Sequence, residues 1–216
     1  VLSEYDHDGV LLKASVIPEQ DGKSISDIHP VVFSDDSLAV VYTVPYTVNN
    51  RDVPNERVQW FHSDLTKRGT ATVSPRYDPN YREMHERIVG AVALEDDRLL
   101  TFIWTKSTNT YDPFRNLVYY HVYATNGTLT DRLILNEAQG TEDYTQRYTN
   151  IKAHPGGFVA YKPMNELAVF TVHSNLTVVK GANLMPDDLK TETEDINLKV
   201  LEDGSILATY KQPAET

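Results

Sequence analysis

The chain has no cysteine among its 216 residues. Disulfides and thiolate metal sites are therefore excluded, and redox usage says nothing about compartment. Long apolar runs are missing too. None approaches the roughly 20 residues that a membrane helix needs, so no membrane insertion is expected. Positive charge is scarce: 20 Lys and Arg stand against 31 Asp and Glu, a formal balance of −11. That argues against nucleic acid and anionic membrane surfaces as partners, since both want basic patches. No basic-then-apolar leader precedes Val1, so the expectation is a mature or excised segment with any signal peptide removed.

Contiguous catalytic motifs are absent as well. His85-Glu86 runs on into Arg-Ile-Val instead of completing a zinc-binding His-Glu-x-x-His, and there is no nucleophile elbow or phosphate loop. The histidines His7, His29, His62, His85, His121, His154 and His173 lack ligand spacing and read as strand or turn residues. Asp6-His7-Asp8-Gly9 lacks the later acidic ligands of a calcium loop and reads as a plain turn. No metal and no cofactor are expected.

What the sequence does have is a repeat. An apolar strand, a two-residue acidic or glycine turn and a second apolar strand recur four times. The copies run from Ile28 to Tyr42 around Asp35-Asp36 and from Val89 to Ile103 around Asp96-Asp97. They return from Tyr148 to Tyr161 around Gly156-Gly157 and from Ile196 to Tyr210 around Asp203-Gly204. A second kind of hairpin lies between them: Val1 to Val16, Val58 to Val73, Leu117 to Leu135 and Leu167 to Val179. Asp8-Gly9 and Asn126-Gly127 are strong hairpin signals, because such turns need positive φ at low cost. Two hairpins per repeat make a four-stranded unit, and the 13 tyrosines against three methionines lean the same way. No stretch has helical periodicity.

The inner strands Leu38-Ala-Val-Val-Tyr42 and Leu99-Leu-Thr-Phe-Ile-Trp104 hardly alternate. A strand apolar on both sides has both sheet faces covered, as when blades stack, whereas a sandwich shows cleaner alternation. Over nearly the whole chain the pattern resembles generic β-propeller blade repeats. Neither a Trp-Asp signature nor a sialidase-type Asp box is present, and one Gly-Gly pair does not make a kelch repeat, so the resemblance is to an architecture and not to a family. It implies an all-β fold of about four four-stranded antiparallel blades, either a closed four-bladed ring or part of a larger propeller that a second chain completes. The expected organisation is a single domain, 1–216, with repeats at approximately 1–44, 57–105, 116–162 and 166–211 and a last blade closed by the first hairpin.

Connection length picks out one side of such a scaffold. Tight turns fall on one face, and the long connections about Pro18 to Asp27, Pro45 to Asn55, Pro75 to Arg87, Lys106 to Asn116, Asn136 to Arg147 and Ala182 to Asp195 on the other. These hold Arg76, Tyr77, Asp78, Tyr81 and Arg82, then Tyr111, Asp112, Phe114 and Arg115, residue types that dominate interface hot spots and also suit sugars. The first expectation is therefore a non-enzymatic recognition or adhesion module that binds a protein or glycan ligand through this face. The alternative is a glycan-processing enzyme. In some propeller glycosidases carboxylates stand where the innermost strands meet the central funnel, and aligning the repeats places Asp27, Ile88, Arg147 and Asp195 there. A third reading makes the chain a structural part of a larger processed propeller. Two glycosylation sequons, at Asn126 and Asn175, fall in outer turns and point to an extracellular or secreted protein.

Overall fold

The computed structural model describes residues 2–17, 24–48, 51–73, 84–107, 118–134, 150–162, 166–186, 196–201 and 203–210. These form sixteen strands. One hairpin, β1 (Leu2–Tyr5) with β2 (Leu11–Ser15), stands as a two-stranded sheet. Three antiparallel four-stranded sheets follow in chain order. The first holds β3 (Ser26–Val32), β4 (Leu38–Val48), β5 (Arg51–Phe61) and β6 (Lys67–Val73); the second holds β7 (Met84–Ala93), β8 (Leu99–Ser107), β9 (Val118–Tyr123) and β10 (Leu129–Ile134). The third holds β11 (Asn150–His154), β12 (Gly157–Lys162), β13 (Glu166–Val172) and β14 (Val178–Asn183), and β15 (Ile196–Val200) with β16 (Ile206–Tyr210) forms a second lone pair.

Each four-stranded sheet is a meander, and the sheets stack through their first strands: β3 lies against β7, β7 against β11 and β11 against β15. Apolar side chains fill the spaces between. Val41, Val58 and Trp60 of the first sheet pack on Ile88, Leu99 and Tyr123 of the second. Leu100, Phe102, Tyr120 and Val122 meet Phe158, Ala160 and Phe170 of the third, where Phe158 stacks on Phe170 at 4.6 Å. Val159, Tyr161 and Leu167 in turn cover Ile196 and Leu198. The second strand of each sheet is thus buried on both faces, which is why these strands do not alternate. The sheets run from an inner hairpin to the outer hairpin that follows it, so their frames are offset by one hairpin from units counted 1–44, 57–105, 116–162 and 166–211.

The hairpin turns differ from two-residue turns. Five of the six described turns inside the complete sheets, and the turn of β15–β16, close as follows. In Phe33–Ser37 the Phe33 N–H donates to the Ser37 carbonyl and the Asp36 N–H to the Phe33 carbonyl. The same pair of bonds closes His62–Thr66, Leu94–Arg98, Ala124–Thr128, His173–Thr177 and Leu201–Ser205. This is a three-residue loop, a type I turn followed by one left-handed residue. That residue is Asp36, Leu65, Asp97, Gly127, Leu176 or Gly204. The residue before it is always Asp or Asn, whose Oδ1 accepts the backbone N–H two residues on, at 2.9 Å for Asp64, Asn126, Asn175 and Asp203. That bond supports the turn from the side and lets non-glycine residues take the left-handed position. The exception is the third inner turn, where Pro155-Gly156 is a two-residue turn and Gly156, not Gly157, has positive φ.

A second difference lies at the opposite end. The stretch from Pro45 to Asn55 is not a loop: β4 and β5 pair without a break from Leu38↔Phe61 to Val48↔Arg51. Two prolines mislead there. Pro45 faces Pro54 across the ladder, beyond the last pairs that β3 and β6 make, Ser26↔Thr43 and Arg57↔Val73. A proline is tolerated where its nitrogen points away from the partner strand and towards no third strand. The result is a two-stranded ribbon that outruns its sheet.

Candidate functional site

Asp27 stands at the start of β3, at the end of the sheet from which the ribbon projects. Its φ is +48°. The other described non-glycine residues with positive φ, Asp36, Leu65, Asp97 and Leu176, belong to hairpin turns; Asp27 alone lies within a strand. The cause is a register shift between Ser26 and His29, where Asp27 and Ile28 together face Tyr42. Bulges of this kind re-aim a side chain, and they gather next to active sites. The backbone takes a conformation that costs an L-residue roughly 1–2 kcal/mol, although Asp tolerates it better than most. The Asp27 carboxylate is half-buried, with the Thr43 hydroxyl donating to its Oδ2 over 3.5 Å.

The second sheet repeats the device. β7 carries a register shift between Ile88 and Gly90, and the innermost strands are tied at this level, with His29 Nε2 lying 3.3 Å from the Ile88 carbonyl oxygen. Ile88, aligned with Asp27, is buried and apolar. Along the row that starts at Asp27, Tyr42 faces Arg57 across the ladder. Burial pushes the Tyr42 phenol above its ordinary value, and the Arg57 guanidinium works against that shift.

Beside this row the sequence hides a buried polar cluster. Glu56 of β5 faces Thr43 in register, and its side chain crosses to the second sheet. There the Thr101 hydroxyl donates to Oε1 at 2.7 Å, the Tyr123 hydroxyl donates to Oε1 at 3.2 Å, and His121 Nδ1 lies 2.8 Å from Oε2. Glu56 is 5 % exposed and His121 1 %. The signal was half-legible: Thr101 and His121 are polar residues in apolar strands, opposite each other in register. Nothing local pairs them with an acid from another sheet. Buried this deeply, the cluster joins two blades.

Of the other carboxylate and cation candidates, Asp195 and Arg147 lie outside the described residues, as do Arg76, Tyr77, Asp78, Tyr81, Arg82, Tyr111, Asp112, Phe114 and Arg115. Asn126 and Asn175 are exposed at outer turns. The turn chemistry accounts for both sequons, since the same Asx-x-Ser/Thr pattern serves at Asp35, Asp64 and Asp203. Among the described residues no group of three or more His, Asp or Glu side chains is placed to hold a metal ion.

No family model and no curated protein matches the chain. Among solved structures it is similar to a thermostable family-43 glycoside hydrolase, with a TM-score of 0.52 and 12% identity over 86% of this chain and 71% of that one. The architecture is a β-propeller. A Hadza microbial sialidase, Hz136, is similar at a TM-score of 0.45 and 11% identity, over 88% of this chain and 41% of that one. The expectation of a non-enzymatic recognition module is corrected by the first of these likenesses alone, because the propeller that the chain resembles at 0.52 is described as a glycoside hydrolase. The absence of contiguous motifs does not by itself decide against an enzyme on this fold. When each innermost strand supplies one side chain, the catalytic groups lie a whole repeat apart and form no contiguous pattern.

Proposed function

We propose that this chain is a propeller-type glycan-processing enzyme with its reacting carboxylates where the innermost strands meet the central funnel, Asp27 among them. The observation that carries the reading is the left-handed bulge at Asp27, a cost the fold bears on an innermost strand and not at a turn. Most glycoside hydrolases work with two carboxyl groups. One protonates the departing oxygen, and the other activates water or attacks the sugar, so their separation sets the stereochemical outcome. In this reading Asp195 is the second carboxyl and Arg147 a neighbouring cation. The rings and charges of residues 76–82 and 111–115 hold the sugar. An extracellular protein with glycans on Asn126 and Asn175 accords with such a substrate.

The test is a panel of aryl glycosides and polysaccharides, assayed with the natural chain and with Asp27→Asn. Turnover that falls roughly 10²–10⁴-fold in the variant, the usual scale for losing an acid or base, supports the assignment. A panel with no turnover at all, or turnover indifferent to Asp27→Asn, rejects it.

A further inference from the structure

Two carboxylates of the first sheet, Asp27 and Glu56, flank the same threonine. Thr43 of β4 lies beside Asp27 on β3 and in register with Glu56 on β5. Residues opposed across a ladder keep their Cβ atoms about 5 Å apart on one face of the sheet. The buried Thr43 side chain therefore neighbours both acids. A hydroxyl has a single proton to donate. Here it goes to Asp27, whose Oδ2 accepts it over 3.5 Å.

Glu56 does not compete for that proton, because the second sheet occupies both of its oxygens. Oε1 accepts from the Thr101 hydroxyl at 2.7 Å and from the Tyr123 hydroxyl at 3.2 Å. His121 Nδ1 stands 2.8 Å from Oε2. The arrangement is not a general feature of these blades. Aligned on the left-handed turn residues Asp36 and Asp97, Asp27 and Thr43 correspond to Ile88 and Trp104. Aligned on the pairs Leu38↔Phe61 and Leu99↔Tyr123, Glu56 corresponds to Val118, and Trp104 faces Val118 as Thr43 faces Glu56. A blade of this protein can thus be built with apolar residues in all three places.

We infer that Thr43 is a positioning residue for Asp27, and that Thr101, Tyr123 and His121 of the next blade keep it so by saturating Glu56. The inference rests on the glycan-processing reading, in which the Asp27 carboxyl reacts. The bulge fixes where the side chain leaves the backbone, but rotation about its own bonds remains, and a reacting group must be held in one orientation. Hydrogen bonds to catalytic groups are often long in a free enzyme and tighten with substrate bound. Taking away one Glu56 donor reverses the competition. The Thr43 proton then has an under-satisfied buried carboxylate to turn to, and Asp27 is released.

The test uses whichever aryl glycoside or polysaccharide the natural chain turns over. Thr43→Val keeps the shape and removes the proton, while Thr43→Ser keeps the proton and removes the methyl group. Thermal melts check that each variant is folded. Thr43→Val should lower kcat by roughly 10²-fold, the scale of a slightly misplaced reacting group, and leave KM close to that of the natural chain. Thr43→Ser should restore most of the rate. Thr101→Val should lower kcat through Glu56, and adding it to Thr43→Val should bring no further fall, because both remove the same bond. Turnover that Asp27→Asn removes but Thr43→Val spares overturns the inference and leaves the enzyme reading standing. A Ser variant as slow as the Val variant does the same, and independent losses from Thr43→Val and Thr101→Val overturn the coupling through Glu56. No turnover at all, or turnover indifferent to Asp27→Asn, rejects the enzyme reading and this inference with it.

Discussion

Glu56 on β5 and His121 on β9 meet at 2.8 Å across the space between two sheets, with both side chains withdrawn from water. Thr101 and Tyr123 complete the ring of partners. Glu56→Ala would strand two buried hydroxyls and an imidazole, and removing one partner of such a group costs about 3–5 kcal/mol. Urea unfolding should show that loss for Glu56→Ala. The double variant Glu56→Ala, His121→Ala should lose clearly less than the sum of the single losses, because the groups act together. Additive losses would mean the pair is no clasp.

Asp27 should be dispensable for folding. Asp27→Gly relieves the left-handed backbone and is expected to be neutral or to stabilise by about 0.5–1 kcal/mol, the gain being offset in part by glycine's larger chain entropy. Asp27→Val, branched at Cβ, should lose at least about 1 kcal/mol. Thermal melts of Gly, Asn and Val at this position should rank in that order. A Val variant as stable as the Gly variant would show that the bulge carries no strain.

The aspartate turns should give the protein an acid-labile edge. Hydrogen bonds from the Ser37 hydroxyl and then its N–H hold Asp35 below the usual carboxylate range, and Thr66 does the same for Asp64; for Asp203 the Ser205 N–H acts first and its hydroxyl second. A folded-state value below the unfolded one, about 3.9, contributes stability that is present above that pH. The contribution is lost as the pH falls through the folded-state values. The melting temperature should therefore drop below about pH 4, and Asp35→Asn, Asp64→Asn and Asp203→Asn together should flatten the drop while keeping the turns. Melts from pH 2 to 6 check this; an unchanged acid limb in the triple variant would place the lability elsewhere.

The adjacent glycines Gly156 and Gly157 should respond differently to alanine. At Gly156 a Cβ meets nothing within 4 Å, and the only cost is its φ of +70°, roughly 1–2 kcal/mol. At Gly157 the Cβ would lie 1.9 Å from the Phe170 carbonyl oxygen, on backbone that cannot step aside. Gly157→Ala should therefore cost at or above the roughly 3 kcal/mol upper end of overpacking. Chemical denaturation of the two variants separates steric crowding from conformation. Equal losses would refute the close approach of β12 to β13.

Much of this architecture is written locally. Asp or Asn two residues before a Ser, Thr or Arg specifies a turn through a bond that spans only two residues, and the mainly apolar, non-alternating runs at Leu38–Tyr42 and Leu99–Ile103 demand cover on both faces. Sixteen strands in a blade-like repeat follow from those two facts. Sequence could not decide what depends on how distant strands face each other. Pro45 and Pro54 read as loop until their pairing shows the two facing each other in one continuous ladder. His121 reads as an ordinary strand residue until the stacked blades bring Glu56 to it, 65 positions away in the chain. Asp27 reads as an acid where an innermost strand meets the funnel, and only the register between β3 and β4 turns its backbone left-handed. Turn and strand chemistry acts between near neighbours and is legible in one dimension; the bulge and the buried acid–histidine pair exist because separate sheets must fit together, and that fit is decided in three.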